Sequence, residues 1–360
     1  AGAGATTLWT TLPTPAPPTV IDITDTNTSA TYYPVFVDNT GSGKVLRADK
    51  STTPFSINPN TGDLNFATTL KIDSTRTAIG KQAGQTTPAG FIVAMGYNAG
   101  NSNQGLGSIG IGYQAGETNQ ATNSVAIGGT AGQSGQGTLS VAIGYQAGGT
   151  NQAANNVAVG AASGRTAATG AVAVGHQAGE TNQGTLSVAI GRLAGNSNQG
   201  GVAGGAVAVG HQAGETSQSS NAVAVGIQAG ETSQGLNSVA VGREAGQTNQ
   251  AADCVAVGGE AGETNQAGQA VAVGRQAGQT SQGASSVAVG RLAGQTNQHA
   301  NTIVLNATGV ALNTAGTNRF IVKPVRDYGA EAGFVALYYN STTGEIGYTP
   351  TPPPTVIDMT

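Results

Sequence analysis

A period of sixteen residues is the strongest constraint in this chain. Near-copies of Ser140–Gly148, Ser-Val-Ala-Ile-Gly-Tyr-Gln-Ala-Gly, recur from about residue 76 to residue 306. The glycine that closes each Val-Ala-Ile/Val marks the repeat, at Gly80, Gly96, Gly112, Gly128, Gly144, Gly160, Gly175, Gly191, Gly210, Gly226, Gly242, Gly258, Gly274 and Gly290. Successive markers are 16 residues apart, except for one interval of 15 (Gly160 to Gly175) and one of 19 (Gly191 to Gly210). A short fixed period belongs to solenoids, in which each repeat buries its surface only by stacking on its neighbours.

Each repeat alternates β-branched and small residues, and a period of two is the pattern of a strand. The expected inward ladder is Val125, Ile127, Val141, Ile143, Val157, Val159, Val188, Ile190, Val223, Val225, Val239 and Val241. The alternation then turns the middle alanines outward, among them Ala126, Ala142, Ala158, Ala189, Ala224 and Ala240. A column of alanines lets a second surface approach closely, so these are the expected chain–chain interface; steric economy on an exposed strand is the plainer reading. Glycine tolerates positive φ, which places corners at Gly128, Gly144, Gly160, Gly226, Gly242, Gly258, Gly274 and Gly290, with a second corner four residues later, as at Gly148. Between the corners a short strand such as Tyr145-Gln146-Ala147 is expected, and a polar return such as Glu180-Thr181-Asn182-Gln183 after them. Several glycines in every repeat, each costing about 1 kcal/mol in a helix, exclude helices.

Stacked turns rise by about 4.8 Å each, so the fourteen marked turns and a further one at Ile303–Asn306 make a rod of about 70 Å. Thr or Ser stands six residues after each marker, as at Thr118, Ser134, Thr150, Thr232 and Thr296. Two residues later the chain has Gln in every turn but two, where Pro88 and Ala168 replace it. Amides stacked at strand spacing can form ladders, which makes this column structural glue, with a polar binding face as the alternative. The short and long intervals are expected to change length in the polar return, where loops accept indels.

Only 9% of the 360 residues are charged and the net charge is −4, which gives no electrostatic case for nucleic acid or an anionic membrane. No apolar run is long enough to span a bilayer as a helix. The single cysteine, Cys254, takes a position that is Ser or Ala in most turns and is read as an inert substitution.

The flanks differ from the repeats. Residues 1–18 end in Pro13-Thr14-Pro15-Ala16-Pro17-Pro18, a stiff linker. Residues 19–75 read as a small β domain, with strands at Tyr32–Val37 and Lys44–Leu46 and a hairpin over Ser56–Phe66. The solenoid is assigned to 76–309 and a C-terminal β-hairpin cap to 310–349, with strands at Phe320–Val322 and Val335–Tyr339. Its Asn340–Ile346 loop matches Asn58–Leu64 in spacing. Residues 350–360 form a linker in which Pro353–Asp358 repeats Pro17–Asp22. The expectation is one unit of a longer tandem array.

The Ser-Val-Ala-Ile-Gly-x-x-Ala-Gly repeat resembles the head repeats of trimeric autotransporter adhesins of the YadA type, over about two-thirds of the chain. That resemblance implies a left-handed parallel β-roll assembled as a homotrimer. The flanks, Tyr32–Val37 with Ile57–Gly62 and Asn318–Arg326 with Leu337–Asn340, look like segments of tail-fibre and surface-fibre proteins of phages and large DNA viruses. No coiled-coil stalk, membrane barrel or intramolecular chaperone domain of those families is seen.

No motif points to catalysis. The glycine-rich stretch Gly204–Gly210 lacks the Lys-Ser/Thr of a phosphate loop. Calcium-binding β-rolls need aspartates at every turn, and the array has only Asp253. His176 and His211 share a column two turns apart, about 10 Å, too far to hold one metal within a chain; His299 stands elsewhere. Acids follow the second corner (Glu117, Glu180, Glu215, Glu231, Glu263) and bases the first (Lys81, Arg192, Arg243, Arg275, Arg291). Both columns read as solvated faces, with a ligand-binding stripe as the alternative. Sequons occur at Asn27, Asn306 and Asn340.

The expected function is therefore mechanical: the rigid shaft of an extracellular or virion-attached fibre, binding itself and an unidentified surface receptor or glycan, with no enzyme activity, cofactor or metal. An adhesin head binding matrix or glycans is the alternative. Ice binding by the Thr/Ser column comes third, set back by the neighbouring Gln that would spoil a regular Thr face, and the lack of a carboxylate pair argues against a polysaccharide hydrolase.

Overall fold

The structure, a computed structural model, describes residues 76–85, 90–201, 203–325 and 337–348, together with the backbone of four short strands nearer the N-terminus. Contacts divide the chain into two units, residues 1–71 and 72–360. In the first unit Val35–Val37 pairs antiparallel with Leu46–Ala48, and Ser56–Ile57 with Leu64–Asn65. The linkers at 1–18 and 350–360 and the sequon at Asn27 lie outside the described residues.

The second unit is a parallel β-solenoid of about fifteen turns, and the described residues contain no helix. Its front is a 16-stranded parallel sheet running from Arg76–Ile79 to Phe320–Lys323. Every rung lies in register on the next, so that Val239, Ala240 and Val241 pair with Val255, Ala256 and Val257. Register survives both irregular intervals: Val157 pairs with Val172 and Val188 with Val207. The back is a shorter ladder, continuous over Thr232–Gln234, Thr248–Gln250, Thr264–Gln266 and Thr280–Gln282. Single bridges such as Ser102 to Thr118 and Thr181 to Ser197 extend it along the rod.

The alternation runs in the opposite phase to the expected one. The middle alanines Ala126, Ala142, Ala158, Ala189, Ala224 and Ala240 are wholly buried inside their own chain, so they present no surface to a partner. The flanking Val125, Ile127, Val141, Ile143, Val157, Val159, Val188, Ile190, Val223, Val225, Val239 and Val241 lie on the outer face, half-buried to exposed. The reason is space. A rung of sixteen residues with three-residue strands encloses a narrow interior, and its lining is Ser238, Ala240, Ala245 and Gln250 in the rung marked by Gly242, each at most 1% exposed. In the rungs marked from Gly112 to Gly290 no branched aliphatic side chain enters this interior; Ile92 and Val304 do so near its ends.

Two further differences concern the rung outline. The segment between the corners is a turn rather than a strand: Gln146 has φ 57° and Ala147 N–H donates to Gly144 O at 3.4 Å. The polar return is itself the back strand, as at Thr264–Gln266. The parallel sheet also extends beyond residue 309. Ile303–Asn306 pairs in parallel with Phe320–Lys323, so these residues of the expected cap are the last rung strand. The C-terminal hairpin proper is Leu337–Tyr339 against Ile346–Tyr348.

Glycine is required at the first corner for two reasons. Gly144 has φ +129°, and a Cβ there would lie 2.6 Å from the carbonyl oxygen of Gly160 one rung on. The remaining marker corners Gly128, Gly160, Gly226, Gly242, Gly258, Gly274 and Gly290 also have positive φ, from 106° to 132°.

Candidate functional site

The glutamine column lies inside the solenoid. All twelve, from Gln104 to Gln298, are at most 2% exposed. Their amides close the rung from back to front: Gln250 Nε2 donates to Val239 O at 3.0 Å, a front-strand carbonyl of the same rung. The amide's other hydrogen serves the ladder expected from the sequence, with Gln250 donating to Gln266 Oε1 at 2.9 Å, Gln266 to Gln282 at 3.0 Å and Gln282 to Gln298 at 3.1 Å. The oxygen packs against the second-corner glycine, where a Cβ on Gly116 would come 2.2 Å from Gln120 Oε1. Burial removes this column from any binding face.

In the rung where Ala168 replaces the glutamine, the chain supplies another amide. In the 15-residue rung Ala167 bridges to Gln183 in the glutamine's place. That rung alone has Asn at the small position four before the marker. Asn156 donates Nδ2 to Ala167 O at 3.2 Å and accepts from Ala171 N–H at 2.8 Å, refilling the interior. Cys254 occupies the same column in its own rung. It is fully buried, donates to Ala267 O at 3.0 Å, and burial pushes its thiol pKa up, which keeps it in the unreactive thiol form.

Several members of the two charged columns are bonded by neighbouring rungs. Glu117 accepts from the amides of Asn98, Gln114 and Gln133 at 3.0–3.2 Å, and Glu180 from Arg165, Gln177 and Asn196. Arg243 pairs with Glu244 and Glu260. Arg192 lies between the two histidines of its column, with Nη1 2.7 Å from His211 Nε2. His299 Nδ1 meets Thr314 Oγ1 at 2.8 Å. Among the described residues no three His, Cys, Asp or Glu side chains gather as a metal would need.

The Thr/Ser column is on the outer surface of the back strand, and the glutamines turn inward beside it rather than interrupting it. In most turns its neighbour on the outer surface is an Asn or Ser with positive φ, and the Asn amides ladder along the axis, as Asn249 Nδ2 does to Asn265 Oδ1 at 3.1 Å. Of the sequons, Asn306 is 5% exposed and its Nδ2 is held by Arg291 O and Val310 O, so an oligosaccharide transferase could not reach it in the folded chain. Asn340 is exposed at the tip of the C-terminal hairpin.

The feature with the largest unfilled capacity is the front face. Two columns run up it without a polar residue from Val93 and Met95 to Phe320 and Val322, each side chain over its counterpart. Most are half-buried and seven are exposed, including Met95 at 37%, Ile190 at 40% and Phe320 at 57%. Inverting the expected phase is what places them here. Constancy down the columns could not have located them, since the residue three before the marker is Val in every rung from Val125 to Val287, as invariant as the alanine beside it from Ala126 to Ala288. No helix among the described residues is long and apolar enough to cross a membrane. Comparison of the chain with known protein families, with curated proteins and with solved structures finds no match.

Proposed function

We propose that this chain is the rigid shaft of an extracellular or virion-attached fibre, in which parallel copies close around a common axis with their front faces inward. Three copies is the number that the resemblance to adhesin head repeats implies. One observation carries the reading: the unbroken apolar columns on the front face. Sixteen strands at about 4.8 Å, each about 10 Å long, make a flat apolar strip of roughly 700 Å² per copy. That is near the roughly 800 Å² per partner of a stable interface, and larger than the apolar patches most monomers expose.

The thin interior points the same way. Alanine, serine and glutamine bury little apolar area, so the valines and isoleucines that would normally stabilise a core contribute fully only when another copy covers them. Stiffness along the rod comes from backbone hydrogen bonds parallel to its axis, repeated at every rung. Sedimentation equilibrium tests the assembly. The chain is expected to be a trimer at micromolar concentration, and Val157→Glu with Val225→Glu to reduce it to a monomer that keeps its β-sheet circular dichroism. A monomeric parent chain at tens of micromolar would overturn the reading.

A further inference from the structure

At its C-terminal end the front face runs into a cleft of about 650 Å³ between the last two rungs and the C-terminal hairpin. The rungs contribute Asn301, Asn318, Arg319 and Phe320, and the hairpin contributes Tyr339 and Ile346. Both walls are built on paired strands: Ile303 N–H donates to Arg319 O at 2.8 Å, and Leu337–Tyr339 pairs with Ile346–Tyr348. A cleft of this size suits a small organic ligand.

Its polar groups have hydrogen-bonding capacity to spare. Lower in the column that ends in Asn301 and Asn318, the side chains bond to one another along the axis. Asn221 Nδ2 donates to Asn237 Oδ1 at 3.3 Å, and Asn237 Nδ2 to Asp253 Oδ1 at 3.1 Å. Asn301 and Asn318 lie on adjacent strands in the same register, yet their side-chain amides bond to no described residue. Arg319 is exposed and forms no ion pair among the described residues. Between these groups stand two aromatic rings, one from each wall, with Phe320 exposed by 57% and Tyr339 by 68%.

We propose that this cleft binds a sugar unit that carries a carboxylate. A guanidinium pairs with a carboxylate through two parallel hydrogen bonds. Each asparagine amide offers two donors and an acceptor to ring hydroxyls. The rings of Phe320 and Tyr339 cover the apolar C–H face of a pyranose. A neutral sugar leaves Arg319 without its partner, and a simple aliphatic acid leaves both amides without theirs. The site belongs to a single chain, so it does not rest on the assembly proposed above.

Saturation-transfer NMR on the full chain tests the assignment, with D-glucuronic acid and N-acetylneuraminic acid as probes and D-glucose as the neutral control. The acids are expected to bind with a Kd of about a millimolar, as befits so small a ligand. Glucose is expected to bind about tenfold more weakly, because it lacks the charge-assisted pair. Arg319→Gln keeps the side chain polar and leaves the backbone ladder intact, and it should bring the acids down to the affinity of glucose. Tyr339→Ala should weaken all three sugars. Absence of binding by both acids, equal binding of acids and glucose, or a preference for acids that survives Arg319→Gln overturns the site. Sedimentation of the same samples reads the assembly separately: a monomeric chain that binds the acids keeps the cleft and overturns the shaft of several copies.

Discussion

The front and the back of each rung are built from the same number of residues but held by different means. The front strand Val239–Val241 belongs to a main-chain ladder that runs unbroken through sixteen strands. The back strand Thr248–Gln250 belongs to a ladder of four, with single bridges elsewhere. The cause lies in the middle residue. On the front it is alanine in an extended conformation, whereas on the back Asn249 has φ 55° and interrupts the pleat. What the back lacks in main-chain pairing it recovers through a buried amide that reaches across the interior to the front carbonyls. A solenoid this narrow is therefore a sheet on one side and a side-chain brace on the other.

The largest expected effect comes from the corner that joins the two. Gly144→Ala introduces a Cβ 2.6 Å from Gly160 O at a backbone angle that alanine does not tolerate. Strain and overpacking together are expected to cost about 2–5 kcal/mol. Because stability in a stacked array is a sum over rungs and interfaces, the loss should appear as local opening, read by amide exchange in the rungs marked by Gly128, Gly144 and Gly160. Unchanged protection there would mean that the front ladder does not depend on the corner.

The brace comes next. Gln250→Ala removes the bonds to Val239 O and Gln266 Oε1, leaves both without that donor and opens a cavity, for an expected loss of about 2–3 kcal/mol. Asn249→Gly, one residue away on the exterior, keeps the left-handed φ of 55° and should change stability by less than about 0.5 kcal/mol. Chemical unfolding of the two variants measures the contrast, and equal losses would erase the distinction between brace and surface.

Period, front-strand position and corner glycines were legible because they are properties of the backbone, which repeats wherever the sequence does. The phase was not legible from hydropathy. Val and Ile are the usual core residues, and Gln the usual surface residue, yet here Ala142 and Gln152 are inside and Val141 and Ile143 outside. Hydropathy assumes an interior large enough to reward branched side chains, and this one is not. Constancy down the column would not have decided it either, because the outer valine three before the marker is as invariant from Val125 to Val287 as the buried alanine two before it from Ala126 to Ala288. The exchange of Ala168 for glutamine together with Asn156 in the same rung was also visible in the sequence. Only the hydrogen bonds show that one residue compensates for the loss of the other.

The smallest effects decide the phase itself, through a pair of adjacent substitutions whose outcomes should cross. Ala240→Val adds two methyl groups to a wholly buried position lined by other rungs' alanines, with an expected cost of about 1–3 kcal/mol from overpacking. Val239→Ala removes two methyl groups from a half-buried position on the outer face, and below the concentration at which copies associate it should cost less than about 1 kcal/mol. In a strand with valine inside, the order would be reversed, because Val239→Ala would then leave a cavity and Ala240→Val would add only surface. Thermal unfolding of dilute chains separates these cases. Repeated at concentrations where the parent chain associates, the same pair asks a second question: Val239→Ala should now weaken association, while Ala240→Val acts only on the stability of each chain, since its side chain never reaches the face on which copies would meet.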